Sequence, residues 1–327
     1  MLGDIALFSL RSSPSYNKGP DIKFNYLSPP HTIIFIYQHQ TIIIMEQVYF
    51  QNEELLQQKI EEIKSQGLDR LHIVSDFDRT LTKCFFDGKK IPSAIALIRE
   101  GGYLTEDYPK KAFALFDKYH PIEVDDSLDH DFKFKKMQEW WETHEKLLIK
   151  SGMHQKVIDD ILKRYPKIFR EGTIPFLDYL NSHNIPLLIF SSGIGNLIEG
   201  YLKKENRLTS NIHVLSNTFE FNSEGYATGY KNGIIHVMNK SETKVEDKKY
   251  RDLISQRNNV ILLGDSLGDL GMVNDLDTNL LIKIGFLNED VQNKLELYKS
   301  KFDVVVTNDG SMDYVNQLLD KLNRAEK

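Results

Sequence analysis

The sequence is poor in cysteine, has no excess of basic residues and lacks a long apolar run. Its one cysteine, Cys84, excludes an intrachain disulfide and fits a reducing compartment. The 41 basic residues are outnumbered by 47 acidic ones, so no basic surface for a nucleic-acid polymer is expected. The apolar stretch over residues 32–44 is interrupted at 38–40 and is too short to span a bilayer. We therefore expect a cytoplasmic monomer that binds neither a membrane nor a nucleic-acid polymer.

The N-terminal segment, residues 1–44, has the weakest pattern. It holds Ser and Pro clusters and few acidic residues, together with three basic ones, Arg11, Lys18 and Lys23. Two interpretations stay open. The segment is a disordered extension or is absent from the mature protein, with Met45 as the natural start, or it is a transit peptide.

Two aspartates, Asp76 and Asp78, follow directly after the apolar run at 71–74. The run is short and rich in branched residues, which predicts a buried strand. In an open parallel sheet, ligands bind outside the carboxyl ends of the strands. A pair of acids at such a point is unfavourable unless a cation or a substrate group balances the charge. Alone, the pair is also compatible with an ordinary Asp-rich turn.

Two further apolar runs end in small or acidic polar residues. The run at 185–190 leads into Ser191 and Ser192, and the run at 260–263 leads into Asp265 and Asp269. Carboxylates, hydroxyls and tight glycine turns at three strand ends predict one assembled site for a phosphate and a divalent metal. A serine there also suits a helix N-cap, and both roles are compatible.

The remaining pattern predicts an α/β protein with a doubly wound, Rossmann-like parallel sheet and an inserted helical domain. An amphipathic helix is predicted over 53–66, and further strands at 213–215, 280–284 and 303–306. Three helical runs, at 108–119, 134–151 and 154–164, fall in an insertion over 86–170 without a convincing strand. We expect a catalytic core of 45–85 and 171–327, with 86–170 as a cap for substrate recognition. Residues 219–237 predict a hairpin.

The acidic and glycine motifs resemble those of the haloacid dehalogenase superfamily. These motifs are DxDxT at 76–80, Ser191, Lys240 and GDSLGD at 264–269. Longer strings narrow the resemblance: IEVD at 122–125, EWW at 139–141, FSSGIG at 190–195 and IHVMNK at 235–240. Together they are similar to the cytosolic 5'-nucleotidases that act on pyrimidine and 7-methylguanosine monophosphates. The resemblance runs from about residue 45 to the C-terminus.

The resemblance implies a hydrolase that depends on Mg²⁺ and acts on a small nucleoside 5'-monophosphate. Asp76 is then the nucleophile that forms an aspartyl-phosphate. Asp78 is the general acid for the leaving ribose oxygen and the general base for water. The metal ligands implied are Asp76, the main-chain carbonyl of Asp78, and Asp265, with Asp269 beside them. Thr80 is implied to orient the loop.

The resemblance also assigns the phosphate contacts. Ser191 and the amide of Ser192 are expected to hold phosphate oxygens, and Lys240 to neutralise their charge. The family usually has alanine where this chain has Ser192. Without the resemblance, Lys240 would be read as a solvated surface lysine.

Three residues of the insertion are implied to read the base. Glu123 can accept hydrogen bonds from guanine or cytosine, and Trp141 can stack on it. Adjacent helix positions point about 100° apart, so either Trp140 or Trp141 can face the cleft while the other packs inside the insertion. The 7-methylguanosine members of the family carry tryptophan at position 141, which suits a cationic base. His144, where the family has a small residue, shares a helix face with Trp141 and is a third candidate.

Other activities remain compatible with the sequence. The same aspartyl-phosphate chemistry would serve a phosphatase for another small phosphoester or a nucleoside phosphotransferase. A non-catalytic binding protein on this fold is the alternative from a different class, although the four motif residues Asp76, Asp78, Lys240 and Asp265 argue against it.

Overall fold

The computed structural model describes residues 33–37, 40–44, 48–125, 127–231, 233–242, 245–274 and 276–323, of which 33–44 are described by backbone alone. Two short strands at the N-terminal end, β1 (Ile33–Tyr37) and β2 (Gln40–Ile44), pair antiparallel. The rest of the predicted N-terminal extension, residues 1–32, and the proposed start at Met45 lie outside the described residues.

A seven-stranded sheet forms the core, in the order β3-β13-β12-β11-β4-β7-β8. Its strands are β3 (Val48–Phe50), β4 (Leu71–Ser75), β7 (Leu187–Ile194), β8 (Ile212–Asn217), β11 (Asn259–Gly264), β12 (Leu280–Leu287) and β13 (Val304–Thr307). All neighbours are parallel except the edge strand β3, which runs antiparallel to β13. Two small hairpins lie outside this sheet, β5–β6 (Phe85–Phe86 and Lys89–Lys90) and β9–β10 (Phe219–Phe221 and Ala227–Tyr230).

Ten α-helices lie in the described part of the chain. They are α1 (Glu53–Gln66), α2 (Ala94–Glu100), α3 (Tyr108–Val124), α4 (His130–Lys150), α5 (Gln155–Arg164), α6 (Thr173–Ser182), α7 (Gly195–Lys204), α8 (Lys248–Ile254), α9 (Val291–Lys299) and α10 (Asp313–Asn323). None of the helices described is both long and apolar enough to cross a membrane.

Local sequence explains the first helix and the central strand. The Asn52 side chain accepts a hydrogen bond from the Leu55 amide and begins α1, and Gly67, with φ of 86°, ends it. All five residues of β4 are buried, because β4 pairs with β11 on one side and β7 on the other. A strand that is buried along its whole length is typical of a parallel sheet covered on both faces. The carboxyl end of β4, where Asp76 follows, therefore lies at the middle of the sheet.

Helices α2 to α5 form the helical insertion between β4 and β7. The chain leaves and re-enters the core side by side, because Thr82 and Phe169 form an antiparallel bridge and the Lys83 amide donates to the Ile168 carbonyl at 2.8 Å. Helix α5 also packs on the core, since the Lys204 ammonium of α7 donates to the Leu162 carbonyl at 3.0 Å. The insertion thus contacts the core where the chain leaves and re-enters it, and also along α7.

The predicted α/β class and doubly wound parallel sheet are confirmed. Helix α1 has the predicted bounds, and the hairpin predicted within 219–237 is present as β9–β10. The sequence interpretation missed the short strands β3, β5 and β6 and the helix α2. Strands of two or three residues carry too few side chains for an alternating pattern to be recognised.

Candidate active site

The first site element is the loop that follows β4. The Asp76 amide donates to the Leu263 carbonyl of β11 at 3.0 Å, so Asp76 still follows the sheet and its side chain is buried. The chain then turns back, with the Leu81 amide donating to the Phe77 carbonyl at 3.0 Å. Arg79 takes a left-handed conformation, with φ of 63°, to make this turn. The half-buried Asp78 lies on the turn.

The second element follows β11. The Asp269 carboxylate accepts hydrogen bonds from the Ser266 amide at 3.0 Å and the Ser266 hydroxyl at 2.9 Å. The Ser266 side chain in turn accepts from the Asp269 amide, which completes a capping box. A Cβ at Gly264 would lie 2.6 Å from the Asp269 Cβ, so only glycine fits there. This turn directs both Asp265 and Asp269 toward Asp76.

The structure brings three of the predicted carboxylates and the predicted lysine into one cluster. Oxygen atoms of Asp76, Asp265 and Asp269 lie within 4.8 Å of one another. The Lys240 ammonium donates to Asp76 Oδ1 at 2.6 Å and to Asp269 Oδ1 at 3.1 Å. Lys240 is 5% exposed, which excludes a solvated surface position.

The charges in this cluster are not balanced, because three carboxylates share one ammonium. Burial raises the pKa of Asp76 above its usual range, against the opposing effect of Lys240. Burial, Asp269 and Asp76 raise the pKa of Asp265 as well. Burial alone would lower the pKa of Lys240, but Asp269 and Asp76 outweigh it, and the lysine stays charged.

The donor set fits a hard divalent cation such as Mg²⁺, which prefers oxygen ligands. The Asp265 carboxylate accepts no hydrogen bond from any residue of the described ranges, whereas both Asp269 oxygens are engaged by Lys240 and Ser266. Asp265 and Asp76 are therefore the side chains with oxygens available to a metal, and Asp269 holds the lysine. The division between the ligands Asp76 and Asp265 and the neighbouring Asp269 stays a prediction.

The side chains of Asp78 and Ser191 both lie next to Gly193, beside the cluster. A Cβ added to Gly193 would lie 3.1 Å from Ser191 Oγ and 3.3 Å from Asp78 Oδ2. The Ser191 hydroxyl accepts the Gly193 amide proton at 3.0 Å. Burial raises the pKa of Asp78, with Arg79 and Lys240 opposing it, which suits a proton donor.

Strand β7 is longer than the sequence indicates. The apolar run predicts its end at Phe190, but the strand continues to Ile194, which pairs with Asn217 after an irregularity in the register. Ser191 and Ser192 therefore belong to the strand end, and Ser191 is not the N-cap of α7. Ile194 is the N-cap and makes no side-chain capping hydrogen bond. The predicted capping role of serine does not occur, while the phosphate role stays a prediction.

Two asparagines that the sequence interpretation missed hold the Lys240 turn, which we define as residues 234–240. The Asn217 side chain accepts from the Ile235 amide and donates to the Ile235 carbonyl, both at 2.8 Å, and also donates to the Ser192 carbonyl at 2.7 Å. The Asn239 side chain closes the turn by accepting from the amide of His236 at 2.8 Å. Asn217 thus connects the turn to the strand end that carries Ser192.

Arg170, which the sequence interpretation also missed, supports the loop that carries Asp76. Its guanidinium, 2% exposed, donates to the carbonyls of Thr80 at 2.8 Å and of Arg79. It pairs with Asp309 at 3.2 Å and lies over the Phe286 ring at 4.4 Å. The Thr80 hydroxyl is buried without a hydrogen-bond partner in the described ranges, so here the loop is oriented through the Thr80 carbonyl.

Replacing Arg170 with methionine is expected to lower the free energy of unfolding by about 3–5 kcal/mol, since it leaves buried main-chain carbonyls without a donor and removes the ion pair with Asp309. Turnover should fall as well, because the loop that carries Asp76 loses its support. Denaturant unfolding and kcat measure the two effects. Arg257→Met is the matched control, because Arg257 donates to main-chain carbonyls of Leu68 and Leu71, away from the site. Equal kcat in the two variants would argue against the positioning role.

The three predicted base-reading residues lie on the insertion. Glu123 of α3 is half-buried, and one of its oxygens lies 3.0 Å from His120 Nδ1. Trp141 of α4 is half-buried, with its ring 6.4 Å from that of His144. His144 is buried and its Nε2 lies 3.1 Å from the Tyr108 hydroxyl. The described contacts link none of the three to the carboxylate cluster, and their roles stay predictions.

The two tryptophans have different surroundings. Trp140 stacks on Tyr119 with ring centroids 5.7 Å apart and an interplanar angle of 13°, inside the insertion. On α4, the Glu145 carboxylate accepts from the Tyr230 amide of β10 at 2.9 Å, and Gln138 contacts the Lys240 turn. Trp141 is three residues after Gln138 and four before Glu145, so it shares the helix face that is turned toward the core.

A mostly parallel sheet with an aspartate pair after its central strand, a lysine and a second acidic turn is the arrangement that the resemblance to the haloacid dehalogenase superfamily implies. A hydrolase of this family from Salmonella enterica serovar Typhi has the same fold, with a TM-score of 0.51 and 16% identity, covering 82% of this chain and 81% of that one. A sequence profile described as pyrimidine 5'-nucleotidase (UMPH-1) matches residues 79–323. The chain belongs to this family and is a phosphoric monoester hydrolase.

Several relatives support the family assignment. The human 7-methylguanosine phosphate-specific 5'-nucleotidase is 35% identical over 265 residues, which are 81% of this chain and 88% of that protein. The Drosophila melanogaster protein of the same name is 34% identical over 80% of this chain and 82% of its own length. The crystal structure of cytosolic 5'-nucleotidase IIIB bound to cytidine has a TM-score of 0.77 and 33% identity, covering 84% of this chain and 93% of that one.

Proposed function

We propose that the protein is a cytoplasmic, Mg²⁺-dependent 5'-nucleotidase that hydrolyses 7-methylguanosine monophosphate, CMP and UMP to nucleoside and phosphate. The observation that carries the proposal is the buried cluster of Asp76, Asp265, Asp269 and Lys240 at the carboxyl end of the central strands. An unbalanced group of carboxylates beside a charged lysine suits a phosphate ester only when a cation is also bound.

In this mechanism Asp76 attacks phosphorus and forms an aspartyl-phosphate, which water then hydrolyses. The ion pair with Lys240 opposes the effect of burial on the pKa of Asp76 and fixes the orientation of the carboxylate. Bound Mg²⁺, held by Asp76 and Asp265, would supply positive charge that offsets the repulsion between the carboxylate and the phosphate. Lys240 adds a second positive charge at the phosphate oxygens.

Asp78 supplies the proton transfers. Its buried setting raises its pKa, so the protonated form can protonate the ribose 5'-oxygen as it leaves. The resulting carboxylate can then take a proton from the hydrolytic water. Ser191, which lies beside Gly193 as Asp78 does, would donate to a phosphate oxygen.

We propose that residues 86–170 form a cap that selects the base. Support comes from the division of roles on α4, where Trp140 packs inside the insertion and Trp141 faces the core. A methylated guanine is cationic, and an indole ring attracts a cation by about 0.5–2 kcal/mol. Glu123, on the neighbouring helix, would accept hydrogen bonds from the base edge. His144, bonded to Tyr108, would hold the wall of the pocket.

The activity is tested by phosphate release from a panel of 7-methylguanosine, cytidine, uridine, guanosine and adenosine 5'-monophosphates, with Mg²⁺. We expect strong preference for the methylated purine and the pyrimidines. A folded protein that releases phosphate from none of them contradicts the proposal. Phosphate transfer to an added nucleoside would instead identify a phosphotransferase.

Changing Trp141 to tyrosine tests the selection of the base. Because the phenol ring is a weaker cation partner, kcat/KM for 7-methylguanosine monophosphate should fall about three- to tenfold more than that for CMP. Steady-state kinetics on the two substrates measures the ratio. Trp140→Tyr is the matched control, since its ring stacks on Tyr119 and should change both substrates alike. Equal losses in Trp141→Tyr would reject the stacking role.

A further inference from the structure

A chain of hydrogen bonds runs from the helical insertion into the Lys240 turn. The Met238 amide donates to His236 Nδ1 at 3.2 Å, so the proton of the neutral ring lies on Nε2. Nε2 lies 3.1 Å from Gln138 Oε1 of α4 and donates to it. The Gln138 amide nitrogen then donates to Glu142 Oε1 at 2.8 Å. The bond directions are mutually consistent, because each donor in the chain faces an acceptor.

His236 is enclosed at this contact. Its side chain is fully buried, and the Phe134 ring of α4 meets it edge to face with centroids 5.0 Å apart. Burial lowers the pKa of His236 to about 4, so the ring is neutral at neutral pH, as the hydrogen-bond directions require. The contact is thus both packed and directional.

We propose that Gln138 and His236 are positioning residues that connect the insertion to the catalytic lysine. His236 is four residues before Lys240 in the same turn, and Gln138 is three residues before Trp141 on the same helix. The position of α4 on the core therefore determines the position of the Lys240 ammonium. The helix that faces the base and the phosphate site then move as one unit. This inference rests on the proposed function, because it takes Lys240 to bind the substrate phosphate.

The physical reason is the precision that Lys240 needs. Its ammonium reaches two carboxylates at 2.6 and 3.1 Å from a turn that has no regular secondary structure. Asn217 fixes the turn from the core side, Asn239 closes it from within, and Gln138 fixes it from the insertion. A displacement of about 1 Å in a catalytic group can reduce a rate about a hundredfold.

The test is Gln138→Leu, which keeps the size of the side chain and removes its hydrogen bonds. We expect kcat to fall about tenfold and the affinity for inorganic phosphate with Mg²⁺, from calorimetry, to fall about threefold or more. Gln155→Leu is the matched control, because Gln155 of α5 donates to Asp159 four residues later, as Gln138 does to Glu142. It should leave both quantities unchanged, with a similar melting temperature.

Two further variants separate positioning from general stability. The double variant Gln138→Glu with Glu142→Gln exchanges the two side chains. The carboxylate at position 138 would accept from His236 and from the amide at position 142, so kcat should return to within about twofold of the unchanged protein. His236→Phe keeps an aromatic ring against Phe134 but removes both ring hydrogen bonds. Combined with Gln138→Leu it should be no worse than the more damaging single change, since both changes break one chain.

Equal kcat and phosphate affinity in Gln138→Leu and Gln155→Leu overturn the inference. Additive effects of His236→Phe and Gln138→Leu also overturn it, because the residues would then act separately. Failure of the proposed function is distinguishable: the unchanged protein would hydrolyse no nucleotide of the panel. In that case the phosphate affinity of Gln138→Leu, compared with that of Gln155→Leu, still tests the positioning role.

Discussion

The change of Asp76 to asparagine is expected to lower nucleotide hydrolysis by about four orders of magnitude or more. The amide is a far weaker nucleophile than the carboxylate and cannot form the aspartyl-phosphate. Asp76 lies 2.6 Å from the Lys240 ammonium at the end of the central strand. Single-turnover phosphate release on the best substrate of the panel measures the loss.

This loss should come without loss of stability. Removing one of three crowded carboxylates relieves repulsion, and Lys240 keeps its bond to Asp269, so the melting temperature without Mg²⁺ should stay the same or rise. The matched control is Asp303→Asn. Asp303 is a buried aspartate paired with Lys59 at 2.7 Å, away from the site, and its change should lower stability but spare kcat. Turnover of Asp76→Asn near that of the unchanged protein would contradict the nucleophile assignment.

The strands that form the site edge could be predicted because their signal is local. The runs at 71–74 and 260–263 are short and rich in branched apolar residues, a composition that indicates a strand covered on both faces. The carboxyl ends of parallel strands lie at one edge, so the meeting of Asp76 and Asp265 followed from the order of elements. Lys240 is different, because its place depended on resemblance and not on local pattern.

The supports of the site could not be predicted, because their partners are distant in the sequence. Arg170 bonds to carbonyls 90 and 91 residues away, and Asn217 contacts Ser192 and Ile235 from the next strand. Arginine and asparagine in a single sequence usually indicate exposed positions. These two side chains are buried because they bond to main-chain carbonyls that have no partner in the sheet. Such partners are known only once the loops are folded together. The end of β7 was misplaced for a similar reason, since pairing with β8 extends it.

Removal of Mg²⁺ should abolish turnover and also lower the melting temperature. The carboxylates of Asp76 and Asp265 repel each other within a site that Lys240 only partly neutralises, so the folded state gains free energy when a divalent cation binds. At about a hundred times the dissociation constant this gain is about 2.7 kcal/mol, which corresponds to several degrees. Thermal unfolding in EDTA and at rising Mg²⁺ concentrations measures it without substrate.

The variant Asp265→Asn distinguishes a metal bound at this cluster from one bound elsewhere. The Asp265 carboxylate accepts no hydrogen bond from the described residues, so its change removes a ligand and little else. We expect the Mg²⁺-dependent rise in melting temperature to be lost and kcat to fall about a thousandfold. Asp303→Asn, which weakens the fold away from the cluster, should keep the full rise. A Mg²⁺-dependent rise in melting temperature of equal size in both variants, or full turnover in EDTA, would show that the metal takes no part in the reaction. Lys240 would then be the principal positive charge that balances the phosphate.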